Sequence, residues 1–120
     1  MANRSIMYTW GAGVPGREQI GLEVFQAALG FWGAKQAAGE VDDVKVGVSR
    51  TGNVEVLGGY LLVEGDGSKL DAIANSEEYK VLNAKAFHIV KHFTISHCDT
   101  GDEIPKGIER LVKVRGELGL

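Results

Sequence analysis

Val44-Lys45-Val46-Gly47-Val48, followed soon after by Tyr60-Leu61-Leu62-Val63, is the stretch on which the fold turns. Val44, Val46 and Val48 alternate with Lys45, Gly47 and Ser49, the period-two pattern of a strand with one buried face. Ser49-Arg50-Thr51-Gly52-Asn53 supplies turn residues. Val54-Glu55-Val56-Leu57 then resumes an extended reading through Gly58-Gly59 to Val63. The expectation is a β-hairpin with a loop of about four residues. The glycine pair marks a bulge or a close approach by another backbone.

Upstream, Ile6, Tyr8 and Trp10 alternate with Ser5, Met7 and Thr9 and read as a first strand. Gly11-Ala12-Gly13-Val14-Pro15-Gly16 breaks it. Arg17 to Ala38 reads as one long helix, with Ile20, Val24, Ala27, Phe31, Ala34 and Ala38 on one stripe and Gly39 as its stop. Its internal glycines, Gly21, Gly30 and Gly33, imply close packing or a bend, because each costs up to about 1 kcal/mol against alanine. Downstream, Ser68 with Asp71 suggests a helix cap, and Asn75 with Glu78 a second one, so the helix restarts near Ser76. Tyr79, Leu82 and Ala86 carry its inward face. Val90 to His97 reads as the last strand, and Pro105 opens a C-terminal helix striped by Ile104, Ile108, Leu111 and Val112. The order is β-α-β-β-α-β plus a terminal helix, an α+β class and the split βαβ, or ferredoxin-like, plan.

Composition sets bounds rather than a function. The 120 residues read as one domain spanning 1–120. Thirteen basic residues against sixteen acidic ones argue against a nucleic-acid partner, which favours a basic stripe. The single cysteine, Cys98, permits no internal disulfide. No apolar leader follows Met1, and no apolar run approaches membrane-spanning length. These features lead us to expect a cytoplasmic chain without a membrane partner.

In this plan the first and third strands are central, and the sequence makes both of them apolar on both faces. A sheet with one wet face should alternate throughout. A second copy of the chain is the economical cover, with His92, Thr94 and Ser96 near the contact. The order of elements, with Ser76-Glu77-Glu78-Tyr79 on the second helix, resembles the dimeric α+β-barrel superfamily. Trp10-Gly11-Ala12-Gly13-Val14-Pro15-Gly16-Arg17 is similar to the opening of a set of small bacterial proteins of unassigned function. The resemblance implies a homodimer packed sheet to sheet. It also implies either a small-molecule-binding protein or a cofactor-independent enzyme of monooxygenase or isomerase type, or else a non-catalytic structural or regulatory module.

The candidate chemistry is sparse. Gly11-x-Gly13-x-x-Gly16 has the spacing of a dinucleotide fingerprint. Pro15, the long helix and the antiparallel hairpin all oppose that reading. His88, His92 and His97 cluster in sequence, but a strand starting between them would separate any metal pair, so no metal or cofactor is expected. His92 is the best candidate for proton transfer, because an imidazole titrates near neutrality. Cys98 beside His97 would point to the opposite face of a strand, so no Cys-His pair is expected. Tyr8, Trp10, Trp32 and Tyr60, with Phe25 and Phe31, are expected to line an apolar pocket for a small aromatic or apolar ligand. Its entrance is expected at the glycine loop 11–16, with His92, Tyr8 and Tyr60 orienting the ligand.

Overall fold

The computed structural model describes residues 2–120. Its elements are β1 (Arg4–Trp10), α1 (Glu18–Ala37), β2 (Asp43–Val48), β3 (Gly59–Gly65), α2 (Gly67–Ala74), α3 (Glu77–Phe87), β4 (Thr94–Asp99) and α4 (Glu103–Glu117). The strands form one antiparallel sheet in the order β2-β3-β1-β4, so β1 and β3 are central. Tyr8 lies between Leu61 and Ile95, and Val46 pairs with Leu61. That register gathers Ile6, Tyr8, Leu61 and Val63 on the face beneath the helices, where they pack against Trp32, Leu70, Ile73 and Tyr79. Fully burying one such aliphatic side chain contributes about 2 kcal/mol. The result is the α+β, ferredoxin-like arrangement.

Several local expectations give way to longer-range contacts. The β2–β3 connection runs over residues 49–58, because Val54–Leu57 do not join the strand. Val56 N and Leu57 N both donate to Asn53 O, which curls this segment into a turn. Gly58 N donates to Trp10 O, and a Cβ on Gly58 would sit 2.8 Å from Gly11 O. The glycine pair therefore does mark a close backbone approach. Val90 likewise does not begin β4. Residues 89–91 instead pair with the glycine loop, through Gly11 N to Lys91 O, Val14 N to Ile89 O and Lys91 N to Ala12 O. His92 then turns the chain with a left-handed φ of 55°, a conformation that histidine tolerates better than branched residues. The helix caps also shift by residue. Asp66 caps α2 by accepting from Lys69 N, and Ser76 caps α3 by accepting from Tyr79 N.

Gly30 and Gly33 have nothing near the place a Cβ would occupy, and Gly21 only ordinary contact with Ile89. Close packing therefore does not explain the glycines of α1, and the structure offers no other account of Gly30 and Gly33. The second face of the sheet carries Met7, Tyr60 and Leu62 on its central strands, with Met7 37% and Tyr60 44% exposed. Leu61 points the other way and is 2% exposed. No residue of α4 is buried, and Leu111 is 72% exposed. The Cα radius of gyration is 16.6 Å, against about 14 Å for a compact chain of this length. Thus α4 stands off the body beyond the end of β4.

These placements make two glycines behave oppositely. A Cβ at Gly11 would fall 2.1 Å from Glu55 O, so Gly11→Ala should destabilise the protein by about 1–3 kcal/mol. Gly33→Ala, in open space on a helix, should stabilise it by about 0.5–1 kcal/mol. Urea denaturation of both variants checks the pair; a stable Gly11→Ala protein would contradict the pinned loop.

Candidate ligand-binding site

A cavity lies over the sheet between α1 and α3. Gly21 and Ala28 on α1 and Ala86 on α3 leave a gap, and Leu22, Phe25 and Leu82 border it. Tyr8, Trp32 and Leu61 form the floor, and Trp10, Ile89, Val90 and Phe93 close one end. The volume is ≈ 330 Å³, within the usual range for small-molecule sites. Arg17 and Glu18 sit at the rim, and neither is free to roam. Arg17 Nη1 donates to His88 O at 2.6 Å, and Glu18 Oε1 accepts from Gly16 N at 3.1 Å. Accepting from its own backbone N–H and from that of Gly16 holds the Glu18 carboxyl below its ordinary pKa.

The glycine loop forms a fixed wall of this cavity. Its backbone is held on one side by residues 89–91 and on the other by Ala12 N donating to Glu55 O. Lys91 Nζ donates to Glu55 Oε1 at 2.9 Å, tying the two flanking segments together. A phosphate cradle needs free backbone N–H groups. Here the amides of Gly11, Ala12 and Val14 are already committed, which answers the fingerprint spacing.

One corner of the floor is polar. Tyr8 Oη donates to Asn83 Oδ1 at 3.0 Å. The Trp32 indole and the Tyr79 hydroxyl lie against the Tyr8 hydroxyl. Trp32 is 0% exposed, yet its Nε1–H makes no aligned hydrogen bond. Burial, with Tyr79 adjacent, pushes the Tyr8 hydroxyl far above its ordinary pKa, so it stays protonated. Behind the corner, the buried Tyr79 Oη lies 3.1 Å from Nε2 of the exposed His97. Cys98 faces the opposite side of β4, beside Ser5.

The structure places Tyr8, Trp10, Trp32 and Phe25 in the cavity wall. Tyr60 lies on the opposite face of the sheet, with its ring against Gly47. Phe31 is buried beside Trp32, outside the wall. His92 is exposed, precedes β4 and shares no strand face with Thr94 and Ser96. The three proposed orienting groups are thus scattered, and only Tyr8 reaches the cavity. Asn83, which the sequence analysis passed over, was legible. It lies four residues after Tyr79 and three before Ala86, on the same helical face. Among the described residues no group of three or more metal-ligating side chains converges, and no helix is long and apolar enough to cross a membrane.

No family model matches the chain, and no curated protein matches its sequence. Solved structures do match its fold. PA3566 from Pseudomonas aeruginosa is 12% identical, with a TM-score of 0.60 over 84% of this chain and 96% of that one. A dimeric protein of unknown function and ferredoxin-like fold from Bacteroides fragilis is 14% identical, with a TM-score of 0.54 over 81% and 96%. A Caulobacter crescentus protein proposed as an antibiotic biosynthesis monooxygenase is 17% identical, with a TM-score of 0.56 over 84% and 92%. At these identities the likeness is one of fold alone, the ferredoxin-like arrangement described above.

The Tyr8 environment has a consequence at high pH. An unfolded tyrosine loses its proton near pH 10, whereas folded Tyr8 keeps it. The unfolded state then binds fewer protons than the native state, so stability falls as pH rises above about 10. Tyr8→Phe should flatten that alkaline decline. Melting curves from pH 8 to about 11 test it; an equal decline in both proteins would show that Tyr8 is not the cause.

Proposed function

We propose that this chain is a small-molecule-binding protein that works as a homodimer and takes an apolar or aromatic ligand between α1 and α3. The observation that carries this reading is the ≈ 330 Å³ cavity, walled by aromatic and aliphatic side chains with one polar corner at Tyr8 and Asn83. Its geometry favours binding over acid–base catalysis. The ionisable side chains in its wall are Tyr8, Arg17 and Glu18. Tyr8 holds its proton, Arg17 is a permanent cation, and Glu18 is an exposed rim carboxylate. A general base must come within hydrogen-bond reach of the proton it removes, and the floor offers none. A cofactor-independent enzyme of monooxygenase or isomerase type remains the catalytic form of this proposal. In that form Tyr8 would donate a hydrogen bond and Glu18 would be the available base. The proposed monooxygenase among the structural neighbours supports it by fold.

Both tryptophans of the chain, Trp10 and Trp32, stand in the cavity wall. A ligand seated there should therefore change the intrinsic fluorescence and raise the melting temperature together, since it binds the native state. Naphthalene-sized aromatics, tried by both readouts, test the proposal. A library that changes neither would overturn it.

The second reading, a homodimeric structural or regulatory module, is favoured by different surfaces. These are the Met7, Tyr60 and Leu62 face of the sheet and the bare apolar stripe of α4. An exposed amphipathic helix gains most of its stability from packing its apolar face. A twofold axis would let one copy cover the other. Light scattering coupled to gel filtration should give twice the chain mass at tens of micromolar. Leu62→Arg should halve that mass, because each copy would otherwise bury an unpaired charge. Truncation before Glu103 should lower the melting temperature markedly if α4 docks on the partner, since on its own chain none of its residues is buried. A chain-mass species in the wild-type protein would remove the dimer from both readings.

A further inference from the structure

Two apolar surfaces of this chain lack a neighbour, and they lie where one chain cannot bring them together. The first is on β2. Val44, Val46 and Val48 pair with Val63, Leu61 and Gly59, so they stand on the helix side of the sheet. The helices bury Leu61 and Val63 there, yet Val46 is 45% and Val48 69% exposed. Asp42 lengthens the row. It lies two residues before Val44, its N–H donates to Glu64 O, and it is exposed.

The second surface is on α4. Ile104, Ile108, Leu111 and Arg115 follow at four- and three-residue spacing and share one face. Ile104, Ile108 and Leu111 are all exposed. An amphipathic helix gains most of its stability by packing that face, and contiguous apolar patches left bare mark interaction sites.

The order of the sheet keeps the two apart. β2 and β4 are its opposite edges, three strand spacings or about 14 Å from each other. On the helix side α1 and α3 pack against the strands between them. α4 leaves β4 through residues 100–102, a turn closed by Glu103 N donating to Thr100 O. Three residues cannot carry α4 over those helices to β2. A second copy of the chain can bring its own α4 there.

The two surfaces also match in length and charge. Ile104 to Arg115 spans about 16 Å of helix, and Val48 to Asp42 about 20 Å of strand. With Ile104 against Val48 and Ile108 against Val46, the long Arg115 side chain reaches Asp42. Among the described residues neither Arg115 nor Asp42 takes part in an ion pair. In this pose Lys106, Glu109 and Lys113 stay on the solvent side of α4.

We propose that α4 is an exchanged arm. Its Ile104, Ile108 and Leu111 stripe lies along the Val46 and Val48 shelf of a second copy, with Arg115 beside the partner's Asp42. A twofold axis makes the exchange reciprocal. This rests on the homodimeric reading above and gives α4 its seat in that dimer.

Cysteine trapping tests it in the full chain, with Cys98→Ser removing the native thiol. Val46→Cys and Ile108→Cys, on separate chains mixed and mildly oxidised, should give a covalent dimer on a non-reducing gel. Val81→Cys, also exposed and apolar but on α3, should not link to Ile108→Cys. Asp42→Arg or Arg115→Asp should each weaken dimerisation by about tenfold, and the two reversals together should restore it. A Val46–Ile108 link confined to single chains would overturn the exchange. So would α4-dependent pelleting with phosphatidylglycerol vesicles in place of cross-linking, which would make α4 a membrane-surface helix. No link in a protein that still shows twice the chain mass would overturn the arm and leave the dimer standing. A wild-type protein at the chain mass would remove both.

Discussion

The core of the molecule is tied together by one indole ring. Trp32 meets Phe31 edge-on at 5.0 Å and 89°, Tyr79 at 6.0 Å and 83°, and Tyr8 at 6.3 Å and 68°. Edge-to-face contacts of this kind add to simple burial because ring edges are positive and faces negative. They also join three elements that are distant in sequence: β1 through Tyr8, α1 through Phe31 and Trp32, and α3 through Tyr79. The same ring backs the cavity wall, so substitutions at Trp32 will act on the core and on the shape of the cavity at once.

The parts of the fold that were legible in the sequence are those governed by burial on one face. Ile6 and Tyr8 in β1 and the Tyr79, Leu82 and Ala86 face of α3 follow simple periodicity, and the structure keeps them; Val44 to Val48 keep their strand, but Val46 and Val48 are left exposed on it. Val54-Glu55-Val56-Leu57 shows where that logic stops. Alternation is a local signal. The fate of this segment is set by partners far along the chain: Trp10 O, Gly11, Ala12 and Lys91. The same backbone competition removes Val90 to His92 from β4, because the glycine loop claims residues 89–91 first. Pocket residues divide along the same line. Trp10 and Trp32 are large and apolar on faces that periodicity identifies. Tyr60 is aromatic like them, but β3 turns it to the opposite face. The chemistry of His92 says nothing about where a turn puts it.

The cavity also explains the weak amphipathicity of α1. A helix packed on one side of a sheet normally carries one apolar stripe. Here Val24, Phe31 and Trp32 are buried against the core, while Ile20 and Leu22 are half-exposed near the cavity end. The apolar arc is broad because the helix serves two neighbours, the core and an open pocket. Leu22, Phe25 and Trp32 are the large side chains that α1 gives to that pocket.

The position of β1 at the centre of the sheet bears on how fast the chain can fold. Thr9 must find Tyr60 on one side and Thr94 on the other. The only local strand pair, β2 with β3, lies at one edge. Closing long stretches of chain costs entropy before any contact repays it, so folds dominated by distant pairings form slowly. The edge strand β4 completes the sheet, and until it arrives one side of β1 presents unpaired backbone groups. Such an open edge is a template for another strand. During refolding at high concentration, that interval is when this protein is most exposed to association through the wrong surface.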